Sequence, residues 1–134
     1  MPRRFTPSEA NDELTEIRPL VEEIVAHSRE LRRLQAQRHA LGQRIAGNGG
    51  GIDAGALGEL EEAERQERIE ITSRVNAVHK RGAIVKDLDT GLVDFPARLE
   101  GEEVLLCWRL GEELVEHWHG LEEGFAGRKR LNPE

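Results

Sequence analysis

Two histidines near the carboxyl end of this 134-residue chain have a spacing that suits metal binding. His117 and His119 are two residues apart, so on a β-strand both side chains point to the same face of a sheet. Neutral imidazoles together with carboxylates suit zinc or non-haem iron, and two histidines with one carboxylate leave coordination positions open. The spacing alone is a weak signal, because two histidines on a strand more often form local hydrogen bonds.

Carboxylates for such a site lie about 25 to 30 residues upstream. We therefore predict a candidate metal site for zinc or iron, with ligands drawn from His117, His119, Asp87, Asp89 and Asp94. The first two aspartates also begin a D-x-D-x-G pattern typical of calcium loops. Arg98 occupies the position where such a loop needs a bidentate glutamate, so the pattern predicts an Asp-rich turn.

Cys107 is the single cysteine, and its relation to the histidines depends on strand register. A two-residue turn at Gly111-Glu112 pairs Leu106 with His117 and puts the thiol on the opposite face. A three-residue turn pairs Cys107 with His117, and the sequence leaves both registers open. A cysteine in the middle of an acidic strand is typical of a buried structural thiol and not of a nucleophile.

The charge distribution excludes some partners. The net charge is −7, and residues 83–124 carry three Lys or Arg against eleven Asp or Glu. Nucleic acid is not expected as a partner, because a surface that binds a duplex needs clustered basic residues. No apolar run is long enough to span a bilayer, and the first residues lack an apolar signal core. One cysteine fits a reducing compartment, so a cytoplasmic protein is expected.

The first 82 residues predict two long helices joined by a short turn. Thr6-Pro7-Ser8-Glu9 is typical of a helix start with a capping box. The first helix is predicted over about 7–46, with a kink near Arg18 because Pro19 interrupts it. A Gly-rich turn at 47–51 separates it from a second helix over about 53–81. The first helix has an apolar or long side chain every three or four residues: Ile17, Leu20, Ile24, His27, Leu31, Leu34, Arg38, Leu41 and Ile45.

Both helices therefore belong to a coiled-coil-like antiparallel hairpin. Glu64 and Glu67 lie in the weaker apolar stripe of the second helix, and with His27 they form a candidate metal site between the helices. No Glu-x-x-His motif accompanies them, so ion pairs between the helices explain these positions better. The wide apolar stripe at the start of the first helix needs a further covering surface. Either the C-terminal part folds back on it or two chains pair, and we predict a homodimer.

Residues 83–128 change to a period of two and predict a small antiparallel meander of three or four strands. Strands are expected at 83–86, at 92–95 before Pro96, at 103–110, and at 114–119 after a two-residue turn at Gly111-Glu112. The stretch after Gly120 is predicted as loop, followed by a tail at 129–134. The fold class is thus α+β, mainly α, with a long hairpin before a small sheet.

Several sequence motifs resemble an uncharacterised prokaryotic family, the domain-of-unknown-function family 2203. The matching segments are F-T-x-x-E-A-N (Phe5–Asn11), V-K-D-L-D-T-G-L-V-D-F-P-A (Val85–Ala97), C-W-R-L-G-E (Cys107–Glu112) and W-H with G-F-A-G-R (Trp118–Arg128). The resemblance spans nearly the whole chain. It implies no activity, and it implies only that the segments in residues 83–128 are the shared functional part.

Two functions from different classes follow from these patterns. The first is a non-enzymatic interaction or scaffolding protein, in which Phe95, Trp108, Trp118 and Phe125 form an aromatic and acidic patch that binds a protein partner. The second is a small metal-binding protein or metalloenzyme that uses the histidines and aspartates named above. The sequence favours the first and gives no reaction or substrate.

Overall fold

A computed structural model describes residues 3–47 and 54–131 of the chain. Two helices come first, α1 (Pro7–Gly47) and α2 (Ala54–Lys80). Five strands follow: β1 (Ile84–Asp87), β2 (Leu92–Leu99), β3 (Glu102–Arg109), β4 (His117–Gly120) and β5 (Lys129–Arg130), with one 3-10 turn at Phe125–Gly127. The strands form one antiparallel sheet in chain order, so the predicted helical hairpin and meander are confirmed. Within the described residues, no helix combines the length and apolarity needed to cross a membrane.

The predicted capping box opens α1. The Thr6 amide donates to Glu9 Oε1 at 2.8 Å, and the Glu9 amide donates to Thr6 Oγ1 at 3.1 Å. The two bonds satisfy backbone donors that have no partner inside the helix. The helix then continues without a break through Pro19, whose side chain is exposed. Residues 48–51 of the predicted Gly-rich turn lie outside the described part of the chain.

Ion pairs occupy the polar positions between the two helices, as predicted. Glu64 is only 2% exposed and binds both Arg38 and Arg68. His27 Nδ1 lies 2.7 Å from Glu67 Oε1. These glutamates thus have cationic or imidazole partners from the hairpin itself, and such polar seam positions mainly fix register.

The inner face of the sheet packs on the first half of α1. Phe5 is buried and meets Phe95 edge to face, with ring centroids 5.2 Å apart. One core joins the sheet to α1 and to the end of α2; its helical members include Leu14, Ile17, Val21, Ile24 and Val78. The sheet therefore covers the extra apolar stripe of α1, which was one of the two solutions that the sequence left open.

Strand β2 continues four residues beyond Phe95 to Leu99, so the predicted end at Pro96 is wrong. Strand β1 pairs only with the first part of β2, through Asp94, so the later part is an edge on that side. At this edge the Phe5 amide donates to the Pro96 carbonyl oxygen, with the two atoms 2.7 Å apart. The nitrogen of Pro96 faces the same edge, and the proline removes no hydrogen bond to β3.

Two predictions about the last strands need correction. The predicted two-residue turn at Gly111-Glu112 is a longer connection, and β4 begins at His117 and not at residue 114. The connection is shaped by α1, because Asn11 Oδ1 accepts from the Val115 amide at 2.6 Å. The tail predicted from residue 129 begins instead with β5, which pairs Lys129 with Trp118.

The turn between β1 and β2 gives a test of packing between the sheet and α1. Gly91 is buried with φ +73°, and an added Cβ would lie 2.8 Å from Val21 Cγ1 and 2.9 Å from Leu110 Cβ. We expect Gly91→Ala to lower the free energy of unfolding by about 2–4 kcal/mol, the backbone strain adding to the overpacking. Urea denaturation followed by circular dichroism measures this loss.

Gly101 provides the matched control, since it also has a positive φ (+84°) but no atom within 4 Å of an added Cβ. Gly101→Ala should carry only the backbone cost, about 1–2 kcal/mol. Equal losses in the two variants would contradict the tight packing of Gly91 on α1.

Candidate functional site

The outer face of the sheet carries a buried polar cluster. Strand β3 lies between β2 and β4, and its register places Asp94 opposite Cys107 and Leu105 opposite His119. Because alternate residues of a strand share a face, Asp94, Cys107 and His119 project to the same side, away from the helices. Asp94 is 1% exposed, Cys107 is 0% exposed and His119 is 2% exposed.

These three side chains form a compact donor set. Their ligand atoms, a carboxylate oxygen, the Cys107 sulfur and a ring nitrogen of His119, all lie within 4.8 Å of one another. A tetrahedral zinc site with bonds of about 2.0–2.3 Å has ligand atoms about 3.6 Å apart. His119 Nε2 already lies 3.1 and 3.2 Å from the two Asp94 oxygens. A contraction of about 1 Å or less would therefore place all three around one ion.

Hydrogen bonds orient the His119 ring as in many metal sites. Nδ1 lies 2.8 Å from the Gly120 carbonyl oxygen. A carbonyl oxygen only accepts hydrogen bonds, so Nδ1 carries a hydrogen and donates it. Nε2 then faces the two Asp94 oxygens. A ligating histidine whose other nitrogen donates to a backbone carbonyl has a fixed tautomer and ring direction.

Cys107 is poorly placed to act as a nucleophile. Burial raises the pKa of its thiol to about 12, and the negative charge of Asp94 contributes to the rise. Asp94 lies directly opposite Cys107 in the register, and its carboxylate bonds His119. In a nucleophilic triad the histidine lies between the nucleophile and the carboxylate, whereas here the carboxylate is the central group. The order of contacts therefore suits a ligand set better than covalent catalysis.

A second layer of charged side chains borders the cluster. The Arg128 guanidinium donates to Glu112 Oε2 at 2.5 Å and to His117 Nδ1. Two guanidiniums lie over the Phe125 ring, with Arg109 Cζ 4.9 Å and Arg128 Cζ 4.5 Å from the ring centroid. Arg109 is two residues from Cys107 in β3. Because alternate residues of a strand share a face, Arg109 also lies on the outer face. The segment around Phe125 therefore borders the outer face.

The structure separates the predicted metal ligands into two groups. It brings Asp94 and His119 together, with Cys107 as the third member. His117 lies on the same face but its Nδ1 accepts from Arg128 and is outside the donor set. Asp87 accepts from the Thr90 amide at 2.8 Å, which is the Asp-rich turn that the sequence predicted. Asp89 binds Ser28 at 2.6 Å and also pairs with an arginine of α1.

Two of the four residues of the predicted aromatic patch are in the core. Phe95 and Trp108 are both 0% exposed, so an exposed patch of all four residues is wrong. Trp108 packs inside the sheet and donates from Nε1 to the Glu112 carbonyl at 2.9 Å. Trp118 is half-buried, with Lys129 Nζ 4.7 Å from its ring centroid, and Phe125 is 37% exposed. Most of the large aromatic residues in this segment therefore belong to the inner face of the sheet, which packs on the helices.

The sequence did not identify Glu112 and Arg128 as neighbours of the site. Cys107 was an optional ligand, because its face depended on an unresolved turn. Its pairing with His117 gives the register that a three-residue turn would have given, although the actual connection is longer. A directly usable signal was the alternation of Asp94 between the apolar Val93 and Phe95, which predicts a carboxylate on the face opposite the core.

The protein is therefore an α+β protein in which a long helical hairpin precedes a small antiparallel sheet, and the sheet carries a buried Asp-Cys-His cluster. The family model described as "Uncharacterized conserved protein (DUF2203)" matches residues 3–131, so the chain belongs to that family. Neither the search of curated proteins nor the search of solved structures gave a match.

The buried thiol gives a test of the site in the metal-free protein. At pH 8 we expect Cys107 to react with iodoacetamide at least about a thousandfold more slowly in the folded chain than in guanidinium, because the folded thiol is neutral and inaccessible. Mass spectrometry after chelator treatment measures the rate of alkylation. Similar rates in the two states would show an accessible thiolate and would restore the nucleophile hypothesis.

Proposed function

We propose that this protein binds one transition-metal ion, zinc or iron, through Asp94, Cys107 and His119. The observation that carries the proposal is the convergence of three different donor atoms within 4.8 Å at a buried position. Thiolate, imidazole and carboxylate ligands together suit zinc, and iron(II) accepts the same donors. Cys107 and Asp94 bring two negative charges when deprotonated, which a divalent ion neutralises inside a site that excludes water.

The cost of burying these groups supports the same proposal. A buried carboxylate and imidazole pair is often no more stabilising than apolar residues of similar volume. The outer face could have been filled by side chains such as Leu105, which pairs with His119 across the strands. Three polar groups at adjacent positions therefore favour a binding role over a structural one.

Metal content tests the proposal. Untagged protein purified without chelator should contain about one zinc or iron per chain by mass spectrometry. Cys107→Ser and His119→Ala should each lower the affinity for added zinc at least about tenfold, since each removes a ligand. His39→Ala is the matched control, because His39 is exposed on α1. Wild-type protein that binds no metal after incubation with zinc or iron(II) would end the proposal.

A second function, scaffolding by a homodimer, is favoured by the far half of the helical hairpin. Among residues 3–47 and 54–131, the part of the hairpin beyond the sheet has α1 and α2 packed only on each other. Grooves of about 580 and 600 Å³ lie between them on either side. Leu57 lines the first groove and Leu60 the second, and both are half-buried. Small residues in the grooves, among them Gly42 and Ala40, leave room for the helices of a second copy, as in a four-helix bundle.

Solution mass tests this second function. Light scattering after size exclusion should give about twice the chain mass of 15.1 kDa at about 100 µM. The double variant Leu57→Glu with Leu60→Glu should become monomeric while keeping its helical circular dichroism, because charges in the grooves oppose close packing. Leu121→Glu is the control, since Leu121 is 59% exposed and lies in the sheet region. A monomeric wild-type protein would exclude this dimer.

A further inference from the structure

We propose that His117 is a fourth ligand of the metal site, and that it exchanges its contact with Arg128 for the ion when the metal binds. The inference rests on the metal-binding function proposed above and adds a regulated, fourth coordination position to it. With four protein ligands the shell is closed, which is typical of structural or storage sites and not of hydrolytic centres.

The register places His117 next to the donor set. It is directly opposite Cys107 across β3 and β4, on the same outer face. Opposed residues of antiparallel strands have Cβ atoms about 4.5–5.5 Å apart, so their side chains are in reach of each other. His119, two residues further along β4, is already a member of the cluster. A rotation of the His117 side chain, without any change of backbone, would direct a ring nitrogen toward the same ion.

The contact with Arg128 occupies one ring nitrogen of His117. A guanidinium has only donors and stays protonated, so His117 Nδ1 must accept the hydrogen bond through its lone pair. The lone pair that a metal would use is occupied by Arg128, so the two interactions exclude each other at Nδ1.

Arg128 retains other partners when His117 leaves. Its guanidinium also binds Glu112 Oε2 and stacks on the Phe125 ring. Glu112 is itself fixed, because its Oε1 accepts from the Arg109 amide at 2.8 Å. Releasing His117 thus leaves no unpaired buried charge, which would be the main cost of such an exchange. The Arg128–His117 hydrogen bond must break, and the ring also moves away from Glu112 Oε2, which lies 4.0 Å from Nδ1.

Cobalt(II) substitution tests the number of ligands. Cobalt in the wild-type protein should give the visible absorption of a tetrahedral ion with one thiolate. In His117→Gln, two waters should enter the position left by the ring and shift the spectrum toward five-coordinate cobalt, and affinity should fall about tenfold or more. Glutamine keeps an oxygen that accepts from Arg128, so a purely structural role of His117 survives this change. His117→Cys should restore tetrahedral absorption and add a second thiolate-to-cobalt band.

A double-mutant cycle tests the exchange with Arg128. Arg128→Gln should raise the cobalt affinity of the wild-type chain, because it frees the lone pair of His117. Removing a positive charge near the site also raises affinity, so the same change is measured in the His117→Gln background. The gain should be larger, by about threefold or more, when His117 is present. Folding of each metal-free variant is checked by its thermal unfolding.

The outcomes separate the two proposals. Wild-type protein that binds no cobalt or zinc overturns the metal-binding function and this inference with it. Unchanged affinity and spectrum in His117→Gln, with metal still bound through Cys107 and His119, overturn only the fourth ligand. Equal gains from Arg128→Gln in both backgrounds likewise overturn the exchange.

Discussion

The register of β3 between β2 and β4 is the constraint on which the rest of the structure depends. Both faces of β3 are buried, so every residue from Val104 to Trp108 has a neighbour on one side or the other. A slip of one residue would exchange the two faces, sending Cys107 into the apolar core and Trp108 into the polar cluster. The pairing is therefore strongly determined by the core, and the geometry of the Asp94, Cys107 and His119 cluster follows from it. The site needs no loop to bring its three donors together, which favours precise positions for them.

Interactions with α1 extend this constraint to the border of the site. Arg18 donates to the Glu112 carbonyl at 3.0 Å and to the Glu113 carbonyl at 2.7 Å. Its guanidinium also lies 5.3 Å from the centre of the Trp108 ring. These bonds hold the connection between β3 and β4, and Glu112 on that connection holds Arg128. A contact on the first helix is thus linked, through one loop, to the arginine that binds His117. Whatever fixes α1 against the sheet also fixes the surroundings of the polar cluster.

The sequence predicted the architecture better than the site, for a physical reason. The two helices and the inner face of the sheet follow from local periods, and the capping box at Thr6 and the polar seam at Glu64 were both found in the expected form. Strand limits were less accurate, because β2 passes through Pro96 on an edge that only the tertiary pairing creates. The cluster combines residues from three strands, and its membership depends on a connection whose length no local signal encodes. His119 and Asp94 were candidates by type, whereas Cys107 required the register.

The aromatic residues illustrate the same distinction between type and position. Large aromatic side chains in an acidic segment predicted a binding surface, yet Phe95 and Trp108 stabilise the packing of the sheet on α1. Some acidic residues of this segment pair with arginines; Glu103 binds both Arg4 and Arg98, and Glu112 binds Arg128. The uneven charge of the sequence is thus partly neutralised between segments far apart in the chain. The buried cluster on the outer face differs from these pairs, because its carboxylate, Asp94, is bonded by His119. Its two acids, Asp94 and Cys107, have a hydrogen-bonded imidazole beside them, and a divalent cation is the partner that would satisfy all three groups together.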